Sequence, residues 1–281
     1  MNGESVRNIP AISIILPTYN RRKWLKKAID SVVNQSFTDW EMLVVDDVSS
    51  DGTEEMMSEI ERKNSKIKYH RIPVSNEPGI AKFLNYGINT ARGQYIARID
   101  DDDQWSCKDK LKIQHDFFEK NPDYVLIGGG VIVIDENENE MYRYFENETD
   151  YEIRKKILYA NPMSHPSVMF RRETALKIGG YRTLEFAEDW DFFLRMGKEG
   201  KLYNFKEYFA YYQMAQQNNS LRNQKGLAKA ILKLIRVYKN DYPNYRMGVF
   251  VNYFQYLHSF LPLSFRMSTT NYLKYIKRKY F

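Results

Sequence analysis

A single cysteine, Cys107, stands in 281 residues, so no internal disulfide can form and the chain holds its fold by packing. One lone thiol fits a reducing compartment, and the cytosol is the expected location. No stretch offers about 18 uninterrupted apolar residues, and Met1 to Pro10 carries no apolar core of the kind a secretory leader needs. Neither a spanning nor an exported protein is expected. The Gly128-Gly129-Gly130 cluster lacks the Gly-x-Gly-x-x-Gly spacing of a dinucleotide-binding turn and reads as a kink within or between strands. Solenoid repeats and low-complexity tracts are absent as well.

Acid is missing from one end of the chain. From Lys225 to Phe281 eleven Lys or Arg face only Asp241, a local charge of +10, so the rest of the chain carries −4 beneath the overall +6. An acidic body argues against a nucleic-acid enzyme, whose cleft would itself be basic. The basic, aromatic-rich tail suits nucleic acid, an anionic lipid surface or an acidic polymer, or simply a solvated helix face. With 43% apolar and 15% aromatic residues, a sizeable core can be filled.

What stands out is the run Asp100-Asp101-Asp102-Asp103. Four adjacent carboxylates repel one another unless cations hold them, although such a run can also be a solvated turn. The run follows Gln94 to Ile99, which reads as a buried strand. Ligands of open α/β sheets gather at strand C-terminal ends, and oxygen donors suit Mg²⁺ or Mn²⁺. Upstream, strands at Ile12 to Leu16 (broken by Pro17), Trp40 to Val45 and Ile67 to Ile72 alternate with helices at Trp24 to Val32, Glu54 to Asn64 and Ile80 to Thr90. Asn76 to Gly79 forms a turn before the last of these helices. This rhythm predicts a mostly parallel sheet covered by helices. Asp46-Asp47 ends the second strand and should share a cleft with the four-Asp run. A helix around Lys108 to Lys120 and a strand-pair region over Tyr124 to Ile134 follow. Near residue 220 the character changes: Leu227, Ile231, Leu234, Ile235 and Tyr238 form the apolar stripe of an amphipathic helix.

Ile14 to Asn20, Val44 to Thr53, Gly93 to Asp103 and Glu188-Asp189-Trp190-Asp191-Phe192, taken in order, resemble the inverting family 2 glycosyltransferases of GT-A fold, over about residues 10 to 215. The resemblance implies an α/β, GT-A-like, mostly parallel sheet flanked by helices. Residues 1–220 would form the nucleotide-sugar-binding catalytic domain and 221–281 a C-terminal helical extension. It implies a metal-dependent inverting transferase moving a sugar from a nucleotide diphosphate-sugar, UDP-sugar for preference, to a hydroxyl of a glycan or lipid-linked acceptor in surface polysaccharide biosynthesis.

Roles implied by the resemblance are donor binding by Pro17, Tyr19, Asp47, Asp100 and Lys82, with Tyr19 stacking on the base and Asp47 accepting a base N–H. Asp102, with Asp100, would hold Mn²⁺ or Mg²⁺ against the diphosphate, while Asp101 and Asp103 shape the turn. Asp189 would be the base that an inverting displacement needs, with Glu188, Trp190 and His165 on the acceptor side. Arg71 and Arg98 suit either the diphosphate or an acidic cluster. The basic tail would give peripheral contact with the inner face of the cell membrane, its stripe inserted, or else dock on the body. Two other classes stay open. A nucleotidyltransferase would need a glycine-rich basic loop where Pro17-Thr18-Tyr19-Asn20 stands. A non-catalytic sugar-nucleotide or glycan-binding module would not need both Asp102 and Asp189.

Overall fold

The computed structural model describes residues 9–72, 79–214, 223–261 and 269. Most of the N-terminal stretch, the turn residues Asn76 to Pro78 and the basic end Lys274 to Lys279 lie outside the described residues. Strand and helix alternate as β1 (Ile12–Thr18), α1 (Arg22–Val33), β2 (Trp40–Asp46), α2 (Thr53–Lys63), β3 (Ile67–Arg71), α3 (Ala81–Thr90) and β4 (Tyr95–Arg98). In this half every strand pairing is parallel: β1 with β2 and with β4, β2 with β3. Thr18 lies opposite Asp46 and Asp46 opposite Arg71, so the strand ends share one edge.

The second half adds β5 (Gln104–Trp105), α4 (Lys110–Lys120), β6 (Tyr124–Ile134), β7 (Glu140–Tyr144), α5 (Asp150–Lys156), a 3-10 turn (His165–Ser167), β8 (Met169–Arg171), α6 (Arg172–Lys177), α7 (Glu188–Glu199), β9 (Lys201–Gln213), α8 (Gln224–Val237) and α9 (Tyr245–His258). The spatial order is β3-β2-β1-β4-β8-β6-β9-β5, with β7 on β6. Here β8 runs antiparallel to both β4 and β6, while β6 and β9 are parallel. A parallel N-terminal half is thus joined to a mixed half.

Two local expectations change. Pro17 does not break the first strand. It sits inside β1 opposite Val45, beyond the point where β4 pairing ends at Ile15 and Arg98, a strand position that tolerates a missing N–H. Tyr124 to Ile134 is one continuous strand, and its glycines let neighbours close in: a Cβ on Gly128 would lie 2.6 Å from Asn204 Oδ1. The ladder to β9 shifts register at Gly129 and Gly130.

The period of two along the strands divides the core. Ile12, Ile14 and Leu16 of β1 pack with Leu25, Ala28, Ile29 and Val32 of α1 on one face. Ile15, Leu43 and Val45 meet Phe83, Leu84 and Ile88 of α3 on the other, in a cluster that also takes Phe192 and Phe193 of α7. The stripe of α8 joins this second cluster, with Ile231, Leu234, Ile235 and Tyr238 buried. Tyr238 donates its hydroxyl to Asp191 of α7 at 2.7 Å, and Arg195 donates to the other Asp191 oxygen at 2.8 Å. The α8 stripe therefore docks on the body. Of the two readings of this stripe, insertion into a membrane and docking on the body, the buried Ile231, Leu234, Ile235 and Tyr238 follow the second.

Docking predicts a stability effect. Ile235 is fully buried, so Ile235→Ala should cost about 2–5 kcal/mol in urea unfolding, within one transition shared with the strands. A variant that melts like the parent would show that the helix is not part of this core.

Candidate active site

The chain resolves its carboxylate run by giving each member a different partner. Asp100 pairs with the Arg98 guanidinium. Asp101 accepts from the Thr18 hydroxyl at 2.8 Å and the Tyr19 N–H at 3.4 Å, tying the run to the end of β1. Asp102 meets Arg21 Nη1 at 2.9 Å. Asp103, fully buried, accepts the Gln213 N–H at 2.9 Å at the end of β9. Burial and mutual repulsion push Asp101 up to about 7, and raise Asp102 and Asp103 as well. Asp103 is thus sealed in the interior and Asp101 is tied to the end of β1, whereas the Asp100 and Asp102 side chains keep 26% and 18% of their surface exposed.

Beside the run lies the end of β2, with the residues expected to bind the donor. Asp46 is consumed internally, accepting from Ser49 and, at 2.6 Å, from the Tyr69 hydroxyl. Its neighbour Asp47 turns toward Lys82, with Nζ 3.6 Å from Oδ1, too far for a hydrogen bond, and that oxygen has no hydrogen-bond partner. A free buried acceptor beside a cation is suited to a ligand N–H. Tyr19 is 57% exposed, its ring available for stacking. Pro17 is buried within its strand, so its side chain offers a ligand no face. Arg71 is used structurally, pairing with Glu54 and donating to Ser49 O at 3.1 Å.

The residues expected on the acceptor side meet around a cavity of about 940 Å³, lined by Asp100, His165, Glu188, Asp189 and Trp190 among others. The lining does not include Tyr19, Asp47, Lys82 or Asp102, which cluster at the ends of β1, β2 and β4 and the start of α3. Asp100 is where the two halves touch. Glu188 and Asp189 open α7, where the helix dipole favours carboxylates. Asp189 accepts from Asn161 Nδ2 at 2.6 Å and from the Trp190 N–H at 2.7 Å. Those bonds and nearby Arg98 oppose the burial that raises its pKa. Glu188, desolvated and next to Asp189, is pushed up to about 7.

Trp190 does not present the sugar-stacking face its position suggested. It is 3% exposed and donates its indole N–H to Ile157 O at 2.8 Å, so it backs the cavity wall from the core. His165 shares a 3.0 Å hydrogen bond with the Tyr181 hydroxyl. Burial and Arg98 hold its pKa well below the ordinary value, leaving a neutral imidazole. Three non-glycine residues with left-handed backbone, Asn20, Val48 and Ala187, flank these loops. Val48 at φ 56° is unusual for a β-branched side chain.

Sequence reasoning missed Arg21, whose signal was a cation directly after the Asn20 turn, and the roles of Asn161 and Tyr181. It also missed that Leu227 and Ile231 of α8 and Gln255 of α9 help wall the cavity. Among the described residues no three His, Cys, Asp or Glu side chains form a metal cage by themselves. The donor set nonetheless fits a hard cation: Asp100 and Asp102 offer partly exposed carboxylate oxygens beside Asp101 and Asp103, whose pKa values burial and like-charge repulsion raise, leaving other positions to phosphate oxygens.

The family model described as glycosyl transferase family 2 matches residues 13–179. A putative glycosyltransferase, EpsE, of Bacillus subtilis is 31% identical over 82% of this chain and 81% of its own. The putative teichuronic acid biosynthesis glycosyltransferase TuaG of the same organism is 29% identical over 82% and 88%. Among solved structures, Staphylococcus aureus TarS 1–349 in complex with UDP-GlcNAc aligns with TM-score 0.62 and 21% identity, covering 92% of this chain and 74% of that one. The mannosyltransferase PcManGT of Pyrobaculum calidifontis, in complex with GDP-Man and Mn²⁺, aligns with TM-score 0.65 and 17% identity over 94% and 74%. At these identities the structural likeness speaks for the fold, that of GT-A glycosyltransferases.

Glu188 gives a pH prediction. Its folded pKa of about 7 exceeds the ordinary 4.5, so its contribution favours the fold below about 4.5 and is lost as pH rises through about 7. Glu188→Gln removes that loss. The variant should gain on the parent by up to about 3 kcal/mol between pH 4.5 and 8, read as melting temperature against pH. Parallel curves for the two proteins would contradict the buried, strained carboxyl.

Proposed function

Because the chain belongs to glycosyl transferase family 2, we propose that it transfers a sugar from a UDP-sugar to a hydroxyl of a glycan or lipid-linked acceptor, with inversion at the anomeric carbon. The observation that carries this reading is the meeting of Asp100, from the strand-end run, and Asp189, at a helix N-terminus, on the wall of one cavity. A donor held from one side and a base approaching from the other is the geometry that a single displacement requires.

On the donor side Tyr19 stacks against the base, and Asp47 accepts a base N–H, for which uracil N3–H is the natural partner. Lys82 stands beside Asp47, its Nζ 3.6 Å from Oδ1, and adds positive charge to the donor side. On the acceptor side Asn161 fixes the Asp189 carboxylate. Asp189 then takes the proton as the acceptor oxygen bonds to the anomeric carbon and the bond to the diphosphate oxygen breaks. Glu188, partly protonated near neutrality, hydrogen-bonds an acceptor hydroxyl, and neutral His165 with Tyr181 completes that wall. When bound at Asp102 and Asp100, Mn²⁺ or Mg²⁺ supplies positive charge to the leaving diphosphate; the Mn²⁺ complex of PcManGT supports this choice. TuaG, named for teichuronic acid biosynthesis, supports surface polysaccharide assembly as the context, and the UDP-GlcNAc complex of TarS supports a uridine donor.

Proton NMR of the first product formed should show the anomeric configuration opposite to that of the donor; retention would exclude the single displacement. Asp189→Asn should keep nucleotide-sugar affinity by calorimetry while turnover falls on the order of 10²–10⁴-fold. Full turnover in that variant would move the base elsewhere.

A further inference from the structure

With the α8 stripe docked, a second apolar face becomes conspicuous on α9. Gly248, Val251 and Asn252 face the body, where Asn252 Nδ2 donates to Leu158 O at 3.0 Å and a Cβ on Gly248 would meet the same oxygen at 2.8 Å. Phe250, Tyr253, Phe254 and Leu257, at helical spacing i, i+3, i+4 and i+7, point the other way and are at least half exposed. Phe260 and Leu261 extend the stripe past the helix end. A contiguous aromatic face of this kind is not accounted for by the scatter of single apolar residues on ordinary surfaces.

The charges that the C-terminal segment itself brings to this face are cationic. Arg246 precedes Phe250 by one helical turn, and the Lys225 ammonium sits 4.3 Å from the Phe260 ring centroid, with Lys229 one turn further along α8. The only acid from Lys225 onward, Asp241, is tied to Lys198 at 2.8 Å. Beyond Leu261 the sequence adds Arg266, Lys274, Lys277, Arg278 and Lys279 and no acid. Aromatic and aliphatic groups rimmed by cations match the acyl boundary and headgroups of an anionic membrane.

We propose that the outer face of α9 is a docking surface for anionic phospholipid. The same helix places Gln255 in the wall of the acceptor-side cavity. Gln255 lies on the body face of the helix with Val251 and Asn252, so docking through Phe250 and Phe254 would hold that cavity one helix diameter, roughly 10 Å, from the lipid surface, within reach of a lipid-linked acceptor. Only this last consequence rests on the proposed transfer; vesicle binding needs neither donor nor acceptor and stands or falls apart from it.

The test is co-sedimentation of the full chain with phosphatidylcholine vesicles, with and without phosphatidylglycerol. The parent should sediment with the phosphatidylglycerol vesicles and be released by salt. Phe250→Ser/Phe254→Ser should bind at least about tenfold more weakly at an unchanged melting temperature, and should keep transfer to a soluble acceptor. Arg246→Glu/Lys229→Glu, which leaves the apolar face intact, should also weaken binding, each lost cation costing about fivefold. A parent that ignores anionic vesicles, or binds neutral ones equally in any salt, overturns the proposal. So does a serine variant that binds like the parent, one that loses thermal stability along with binding because the chain's own C-terminal residues cover the face, or one that turns a dimer into a monomer.

Discussion

Placing four carboxylates side by side at a sheet edge is electrostatically costly, and the rest of the site follows from how that cost is met. Arg98 from β4 answers Asp100, Thr18 and Tyr19 from β1 answer Asp101, Arg21 answers Asp102, and the backbone of Gln213 at the end of β9 answers Asp103. Each partner comes from a different segment. The run therefore acts as a clasp that ties β1, β4 and β9 together, with Asp100 and Asp102 keeping part of their surface open beside it. Arg98, 2% exposed, extends this influence across the cavity, where its positive charge bears on Glu188, Asp189, His165 and Tyr181.

Much of this was legible in the chain. Apolar runs ending in acidic residues mark buried strands whose ends carry chemistry, so β1, β2 and β4 and the clustering of Asp47 with the run followed from pattern alone. The parts that were not legible depend on long-range register. Nothing local says that β8 inserts antiparallel between β4 and β6, or that the Gly128 to Gly130 kink lies inside one strand. Trp190 beside two carboxylates reads as a site aromatic. Only the packing of α7 reveals that its ring faces Ile157 in the core, because a helix sends adjacent residues to different faces.

The C-terminal helices make the same point. A basic amphipathic segment has an apolar stripe whose periodicity is plain, but periodicity does not say whether protein or lipid covers it. In α8 the cover is the body, anchored by Asp191 to Tyr238. The weaker pattern of α9, with apolar residues on more than one face, hid the stripe that is left bare. In packing terms these helices belong to the cleft, since Leu227, Ile231 and Gln255 line it.

The division of labour within the run is tested most directly by alanine substitution at Asp101, Asp102 and Asp103, reading melting temperature and Mn²⁺-dependent UDP affinity side by side. Asp103→Ala, which strands the buried Gln213 N–H, should lose about 1–3 kcal/mol of stability, and Asp101→Ala, which frees the part-buried Thr18 hydroxyl, about 1 kcal/mol. Asp102→Ala, relieved of like-charge repulsion, should melt at or above the parent yet lose the Mn²⁺-dependent part of nucleotide binding. An Asp102→Ala protein that binds UDP with Mn²⁺ as the parent does would contradict the account.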